Sequence, residues 1–300
     1  MNTLISVVVT TYNREDALAA VLRSLAHQQD RNFEVLVADD GSSPATAALV
    51  ERCRPQFAVP LGHVWHEHRG FRAGEIRNLA VLASRGDYVV FLDGDCLARP
   101  DFVATHRRLA EPGWFVTGNR ALLTQALTAD VLNRQLEPEG WGLADWLGQR
   151  LKGGLNRLPP LLRLPLGRLR KMRPRAWEGA RSCNLAVWRA DLDRVDGFDA
   201  TFSGWGKEYS DLLVRLLHAG VRRKDGCCAT GVLHLWHPDA DRSQLPINQQ
   251  KLASVIADRR LRAERGMSTA GAAATRISGA SGGPGQHDGA GLLRARAGLT

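Results

Sequence analysis

Two hydrophobic periods alternate through the first hundred residues, and this alternation limits what the chain can fold into more than any other feature. Leu4 to Thr10 is an apolar, β-branched run, Glu15 to Gln28 places Leu18, Val21, Leu22 and Leu25 at helical spacing, and Phe33 to Ala38 is a second apolar run. Runs of this kind read as strands and the helically spaced stretch as an amphipathic helix. The pattern predicts further helices over Pro44 to Arg52 and Ala73 to Ser84, and strands near His63 to His66 and over Tyr88 to Leu92. Strands that alternate with helices pair in parallel with the helices packed on the sheet faces, so the fold class is α/β with a mostly parallel central sheet.

Sheets of that class bind ligands beyond the carboxyl ends of their strands. Here those ends are polar and acidic: Thr10-Thr11-Tyr12-Asn13 after the first strand, Asp39-Asp40-Gly41-Ser42 after the second, and Asp93-Gly94-Asp95 after the run Tyr88 to Leu92. Two carboxylates separated by a permissive glycine suit a hard divalent cation, Mn2+ or Mg2+, with a diphosphate supplying further oxygens. Taken alone, the same triplet is also an ordinary acidic turn.

The three segments together, in this order and at these separations, resemble the family 2 glycosyltransferases of GT-A fold, over roughly residues 4 to 120. The resemblance implies a nucleotide-sugar donor, in the first place a UDP-sugar. It places Thr10, Tyr12, Arg14, Asp39 and Asp40 around the nucleoside, Asp93 near the ribose and metal, and Asp95 on the metal. In the segment His68 to Asn78 it makes Arg77 and Asn78 donor-pocket residues, in keeping with the fork of donors that an arginine offers a phosphate. It also implies inversion at the anomeric carbon.

Farther along, Phe202-Ser203-Gly204-Trp205-Gly206-Lys207-Glu208-Tyr209-Ser210-Asp211 resembles a galactosyltransferase-type carboxy-terminal motif, in which Gly-Trp-Gly precedes a Glu-Asp pair. The resemblance assigns Gly204, Trp205 and Gly206 to sugar contact, and a nearby carboxylate to deprotonation of the acceptor hydroxyl. This chain carries Tyr209 where the motif has its aspartate. A phenol is a poor base at neutral pH. Glu208 is therefore the expected base and Asp211 a second catalytic candidate; the bland alternative is acidic residues at a helix start, where the dipole favours them. His234 and His237, three residues apart after an apolar run, align with positions that complete the metal shell. Asn184, in Ser182-Cys183-Asn184, aligns with a stretch that seats donor sugar and acceptor.

The expected organisation is one GT-A domain over 1–265: a nucleotide-binding half (1–120), a basic insertion (121–178) and an acceptor and metal half (179–265). A disordered tail (266–300), rich in Gly, Ala and Ser and without aromatic residues, follows. The formal charge of +9 is matched by nine basic residues between Trp146 and Trp177, a stretch without an acidic one. Two readings stand for this segment: attraction to an anionic membrane surface or phosphorylated lipid-linked saccharide, or a solvated insertion. No run nears the roughly 20 apolar residues of a membrane span. With no evident leader peptide, the expected location is cytoplasmic, peripheral on the inner face of the plasma membrane. Five cysteines lacking paired spacing read as reduced thiols rather than a zinc site. The expected function is transfer of a sugar to a cell-surface polysaccharide or lipopolysaccharide acceptor. A catalytically weak sugar-nucleotide binder, motivated by Tyr209, is the alternative. A nucleic-acid binder, motivated by the charge, ranks below both, because the basic segment lacks interleaved aromatics, and nucleic acid is not an expected partner.

Overall fold

A computed structural model of the chain describes residues 3–180, 183–270 and 276–278. The amino-terminal half runs β1 (Ile5–Thr11), α1 (Glu15–Ala26), β2 (Phe33–Asp39), α2 (Pro44–Cys53), β3 (Leu61–Trp65), α3 (Ala73–Ala83) and β4 (Tyr88–Asp93). Next come β5 (Cys96–Leu97), α4 (Phe102–Leu109), β6 (Trp114–Thr117), β7 (Arg120–Leu122), α5 (Gln125–Asn133) and α6 (Leu143–Leu151). Two 3-10 turns, Pro159–Leu161 and Gly167–Lys171, lead to β8 (Asn184–Trp188), α7 (Arg189–Val195), α8 (Glu208–His218), β9 (Arg222–Asp225) and β10 (Val232–His234). The chain then forms α9 (Leu245–Ala257), α10 (Met267–Ala270) and β11 (Arg276–Ser278).

The main sheet has the order β11-β3-β2-β1-β4-β8-β6-β9. Its centre, β3 to β4, is parallel, whereas β8 joins β4 antiparallel. The strands are apolar on both sides because both sides are covered. Val7, Val9, Val35, Val37 and Leu92 pack with Leu18, Val21 and Leu22 of α1. Val8, Leu36, Val89 and Phe91 pack with Ile76 of α3 and Leu212 and Leu216 of α8 on the opposite face. Each such side chain contributes about 1.5–3 kcal/mol on burial, more than a surface ion pair, so these two layers fix the register of the strands.

Register decides where the site lies. The chain steps outward from β1 through β2 to β3, then returns to lay β4 on the other side of β1, which makes the β1/β4 boundary the topological switch point. There Thr10 pairs in register with Asp93. A separate three-stranded sheet, β5-β10-β7, stands beyond that edge.

The segment from 266 onward differs from the expected disordered tail at its beginning. Met267 and Ala270 of α10 are buried in the layer that holds α3 and α8, and Ser268 donates from its backbone N to Asp196 at 2.8 Å and from its hydroxyl at 2.7 Å. Two buried apolar side chains and the Ser268 hydrogen bonds tie this turn to the core, although composition averaged over the whole tail hides it. Residues 271–275 and 279–300 lie outside the described residues.

Candidate active site

Asp93 closes β4, and the turn after it must double back within one residue. Gly94 makes this possible: its N–H donates to the Thr10 carbonyl at 2.7 Å, and a Cβ at this position would stand 2.7 Å from the same oxygen. The turn delivers Asp95 to the small sheet, where β5 pairs antiparallel with β10 and Leu235 N–H donates to the Asp95 carbonyl at 2.9 Å. Strand pairing thus carries His234 and His237 to the carboxylate. Oδ2 of Asp95 lies 3.6 Å from Nε2 of His234 and 3.3 Å from Nε2 of His237.

One ligand atom from each of the three residues falls within 4.8 Å of the other two, so a single cation can bridge them. Nδ1 of His237 faces the Pro238 carbonyl at 2.6 Å; a carbonyl only accepts, so Nδ1 is the donor there and Nε2 is the nitrogen turned toward Asp95. Burial holds the His234 imidazole below its ordinary pKa, with Asp95 opposing, and the neutral ring is the form that ligates. The donor set therefore fits a divalent cation. Two imidazoles beside one carboxylate suit Mn2+ better than Mg2+, which prefers oxygen alone.

Arg77, buried on α3, ties the acidic groups together. Its Nε donates to Thr10 Oγ1 at 2.9 Å, Nη2 lies 3.3 Å from Asp93 Oδ1, and Nη1 lies 3.7 Å from Glu208 Oε1. Although 23% of its side-chain surface stays open, Asp93 is walled in by protein. That burial, opposed by Arg77 and reinforced by Asp95, pushes its pKa up to about 6. Glu208 opens α8 after a turn with left-handed backbone at Gly204, Gly206 and Lys207 (φ 71°, 109° and 74°). Asn248 of α9 pins the turn by donating to the Ser203 and Gly206 carbonyls at 3.0 and 2.9 Å. The turn presents Trp205, which is 39% exposed, with the Arg242 guanidinium 5.0 Å from its ring.

Several expected site residues have other work. Asp211 is fully buried and holds Arg215 at 2.6 Å, which in turn donates to the Val195 and Gly197 carbonyls; it belongs to the core and does not face the open site. Asn78 exchanges two 2.8 Å hydrogen bonds with the Phe198 backbone and so braces α3. Asn184 is buried between His106, at 3.1 Å, and the Thr230 carbonyl. Asp39 and Asp40 are buried at the end of β2. Asp39 accepts from Ser42 N–H at 2.8 Å and His63 at 3.0 Å, and Asp40 from His66 at 2.6 Å and Arg72 N–H at 2.9 Å. Tyr12 is exposed and stacks on His68 with ring centres 4.6 Å apart, while Arg14 pairs with Asp16 at 3.0 Å. His63, His66, Arg242 and Asn248 fall outside the motifs; a signal for the two histidines was the run His63-x-x-His66-x-His68, which spans the end of β3 and the loop after it.

Comparison with known proteins bears on the family and the fold. The family description "Glycosyl transferase family 2" matches residues 6–151, and "N-terminal domain of galactosyltransferase" matches residues 169–238. A validoxylamine A glucosyltransferase of Streptomyces hygroscopicus subsp. limoneus is 30% identical over 237 residues, 73% of this chain and 49% of that protein. A chondroitin synthase of Escherichia coli is 26% identical over 237 residues, 72% of this chain and 32% of that protein. The chain thus spans half or less of the length of these two relatives. Among solved structures, Staphylococcus aureus TarS 1–349 in complex with UDP aligns over 89% of this chain and 68% of its own, with TM-score 0.55 and 17% identity. A mannosyltransferase from Pyrobaculum calidifontis in complex with GDP-Man and Mn2+ aligns over 89% of this chain and 73% of its own, with TM-score 0.53 and 18% identity. At those identities the likeness speaks for the fold, which is GT-A. The strand-end carboxylates of the first half and the Gly-Trp-Gly turn of the second fall within the two matched ranges, and the chain belongs to the family 2 glycosyltransferases, with a galactosyltransferase-type carboxy-terminal segment.

Proposed function

We propose that the chain is an inverting, Mn2+-dependent glycosyltransferase that moves a sugar from a UDP-sugar to a hydroxyl of a saccharide or lipid-linked acceptor in cell-surface polysaccharide or lipopolysaccharide synthesis. The observation that carries this reading is the convergence of Asp95, His234 and His237 beside the Arg77-centred group of Asp93 and Glu208, at the switch point of a GT-A sheet. A cation held by the triad would supply positive charge to the diphosphate as it departs. Arg77 orients the neighbouring carboxylates and offers a donor fork beside the diphosphate. Trp205 gives the sugar an apolar face. Glu208 takes the proton from the acceptor hydroxyl as its oxygen bonds to the anomeric carbon and the bond from that carbon to the diphosphate oxygen breaks.

The test is release of UDP from a panel of UDP-sugars with and without Mn2+. The reading expects Mn2+-dependent release from at least one donor and its loss in Asp95→Ala. Release that is equal in wild type and variant, or indifferent to chelation, removes the triad from the reaction. A soak with Mn2+ and UDP that leaves the surroundings of Asp93 and Asp95 empty would overturn the reading as a whole.

A further inference from the structure

The insertion carries an amphipathic helix turned inside out. In α6 the described residue fully given to the core is Trp146, while Leu143, Leu147 and Leu151 follow one another at i, i+4 and i+8 along the solvent side. Their exposures are 53%, 45% and 89%, and farther along Leu169 and Met172 are 61% and 73% exposed. Single exposed leucines are ordinary, but a stripe running the length of a helix costs solubility unless something covers it. The basic residues of the same insertion divide into two sets. Arg157, Arg163, Arg170 and Lys171 are engaged internally, with Asn119, Asp101, backbone carbonyls and Glu111. Arg150, Lys152, Arg168, Arg173 and Arg175 are exposed and have no ion-pair partner among the described residues. Arg150 lies on the same side of α6 as the leucines by helical geometry.

We propose that this insertion docks the protein on an anionic lipid surface, with Leu143, Leu147 and Leu151 entering the interface and the unpaired cations meeting the headgroups. Charge complementarity selects the occupant: no carboxylate lies between Trp146 and Trp177, and the stretch of chain that exposes Leu147, Leu151, Leu169 and Met172 also exposes Arg150, Lys152, Arg168, Arg173 and Arg175. No helix among the described residues is long and apolar enough to cross a membrane, and docking of this kind needs none. The inference concerns where the chain works and does not rest on the transfer chemistry, so either can fail without the other.

The test is co-sedimentation of the full chain with phosphatidylcholine vesicles and with vesicles containing 30 mol% phosphatidylglycerol, at low and high salt. Each basic residue near an anionic surface is worth roughly fivefold in partition, so Arg168→Gln, Arg173→Gln and Arg175→Gln combined should weaken binding to the anionic vesicles on the order of 100-fold. Leu147→Glu with Leu151→Glu should abolish binding while leaving the melting temperature and UDP release unchanged, since neither residue touches the core or the site. Equal binding to both vesicle types, or binding that survives the leucine pair, overturns the proposal. So does a dimer in sedimentation velocity that the leucine pair dissociates, because the stripe would then be covered by a second copy of the chain.

Discussion

The guanidinium carbon of Arg77 lies 4.5 Å from the centre of the Tyr209 ring, and the Phe198 ring stands 5.5 Å away. Tyr209 is thus a platform beneath the arginine that links Thr10, Asp93 and Glu208. Its hydroxyl is buried without a hydrogen-bond partner among the described residues, and burial pushes the phenol well above its ordinary pKa. Tyr209 therefore cannot replace the missing aspartate as a base, and its substitution does not by itself predict a weak enzyme. Tyr209→Phe should keep turnover and leave stability unchanged or raised by up to about 1 kcal/mol, because an unsatisfied buried hydroxyl is removed. Tyr209→Asp should lose about 3 kcal/mol with the ring and its contacts and should not exceed wild-type turnover. Chemical denaturation and UDP release on the two variants measure both; a large gain in turnover with Tyr209→Asp would show that the natural protein lacks an effective base.

Two carboxylates three residues apart on α8 should separate cleanly. Glu208→Gln should lower kcat by roughly 10²–10⁴-fold, the span of a lost general base, with the melting temperature preserved. Asp211→Ala should instead cost about 3–5 kcal/mol of stability, because Arg215 would remain buried with its charge uncompensated. If Asp211→Ala folds as stably as wild type and loses only kcat, the core role assigned to Asp211 is wrong.

The triad makes a prediction that needs no turnover. Mn2+ titration by calorimetry should give one site, and His237→Ala or Asp95→Asn should weaken it on the order of 100-fold or more. Mg2+ should bind the wild type less tightly than Mn2+, since two of the three donors are imidazoles. Unchanged Mn2+ affinity in both variants would place the cation elsewhere.

What was legible in the sequence followed from periodicity and from motifs joined in order. The strands from Leu4 to Leu92 announce themselves because they are buried on both faces, and Asp95, His234 and His237, each set in a motif, lie within reach of one another. The partners of polar residues were not legible. Asn184 and Asn78 sit inside or beside motifs, yet which atoms they meet is decided by loops 46 and 120 positions away, and periodicity carries no such information. Asp211 differs from Glu208 only by its place on α8, one turn away toward Arg215 and the core. The carboxylates Asp39 and Asp40 were recognisable, but not the histidines that hold them from β3 and the loop after it.

Acid and alkaline stability should depend on two buried groups of opposite sign. Burial lowers the His106 pKa to about 4, with its hydrogen bond to Asn184 opposing, and raises that of Glu139 to about 7. The unfolded chain binds a proton at His106 near its reference value of about 6.5 while the folded chain refuses it, so stability is full above that pH and falls as pH drops toward 4. At Glu139 the folded chain keeps a proton that the unfolded chain releases, so stability falls as pH rises from about 4.5 through 7. Glu139→Gln preserves the shape without the charge, and above pH 7 it should stabilise the protein by up to about 3 kcal/mol. His106→Gln should flatten the loss of stability between pH 6.5 and 4 and leave the behaviour above pH 7 as it is. Urea denaturation of wild type and both variants at pH 4.5, 6, 7 and 8 checks the pair of slopes. A Glu139→Gln variant that tracks wild type across all four pH values would mean that Glu139 is ionised in the folded protein at neutral pH and finds in solvent the partner that its buried Oε2 lacks among the described residues.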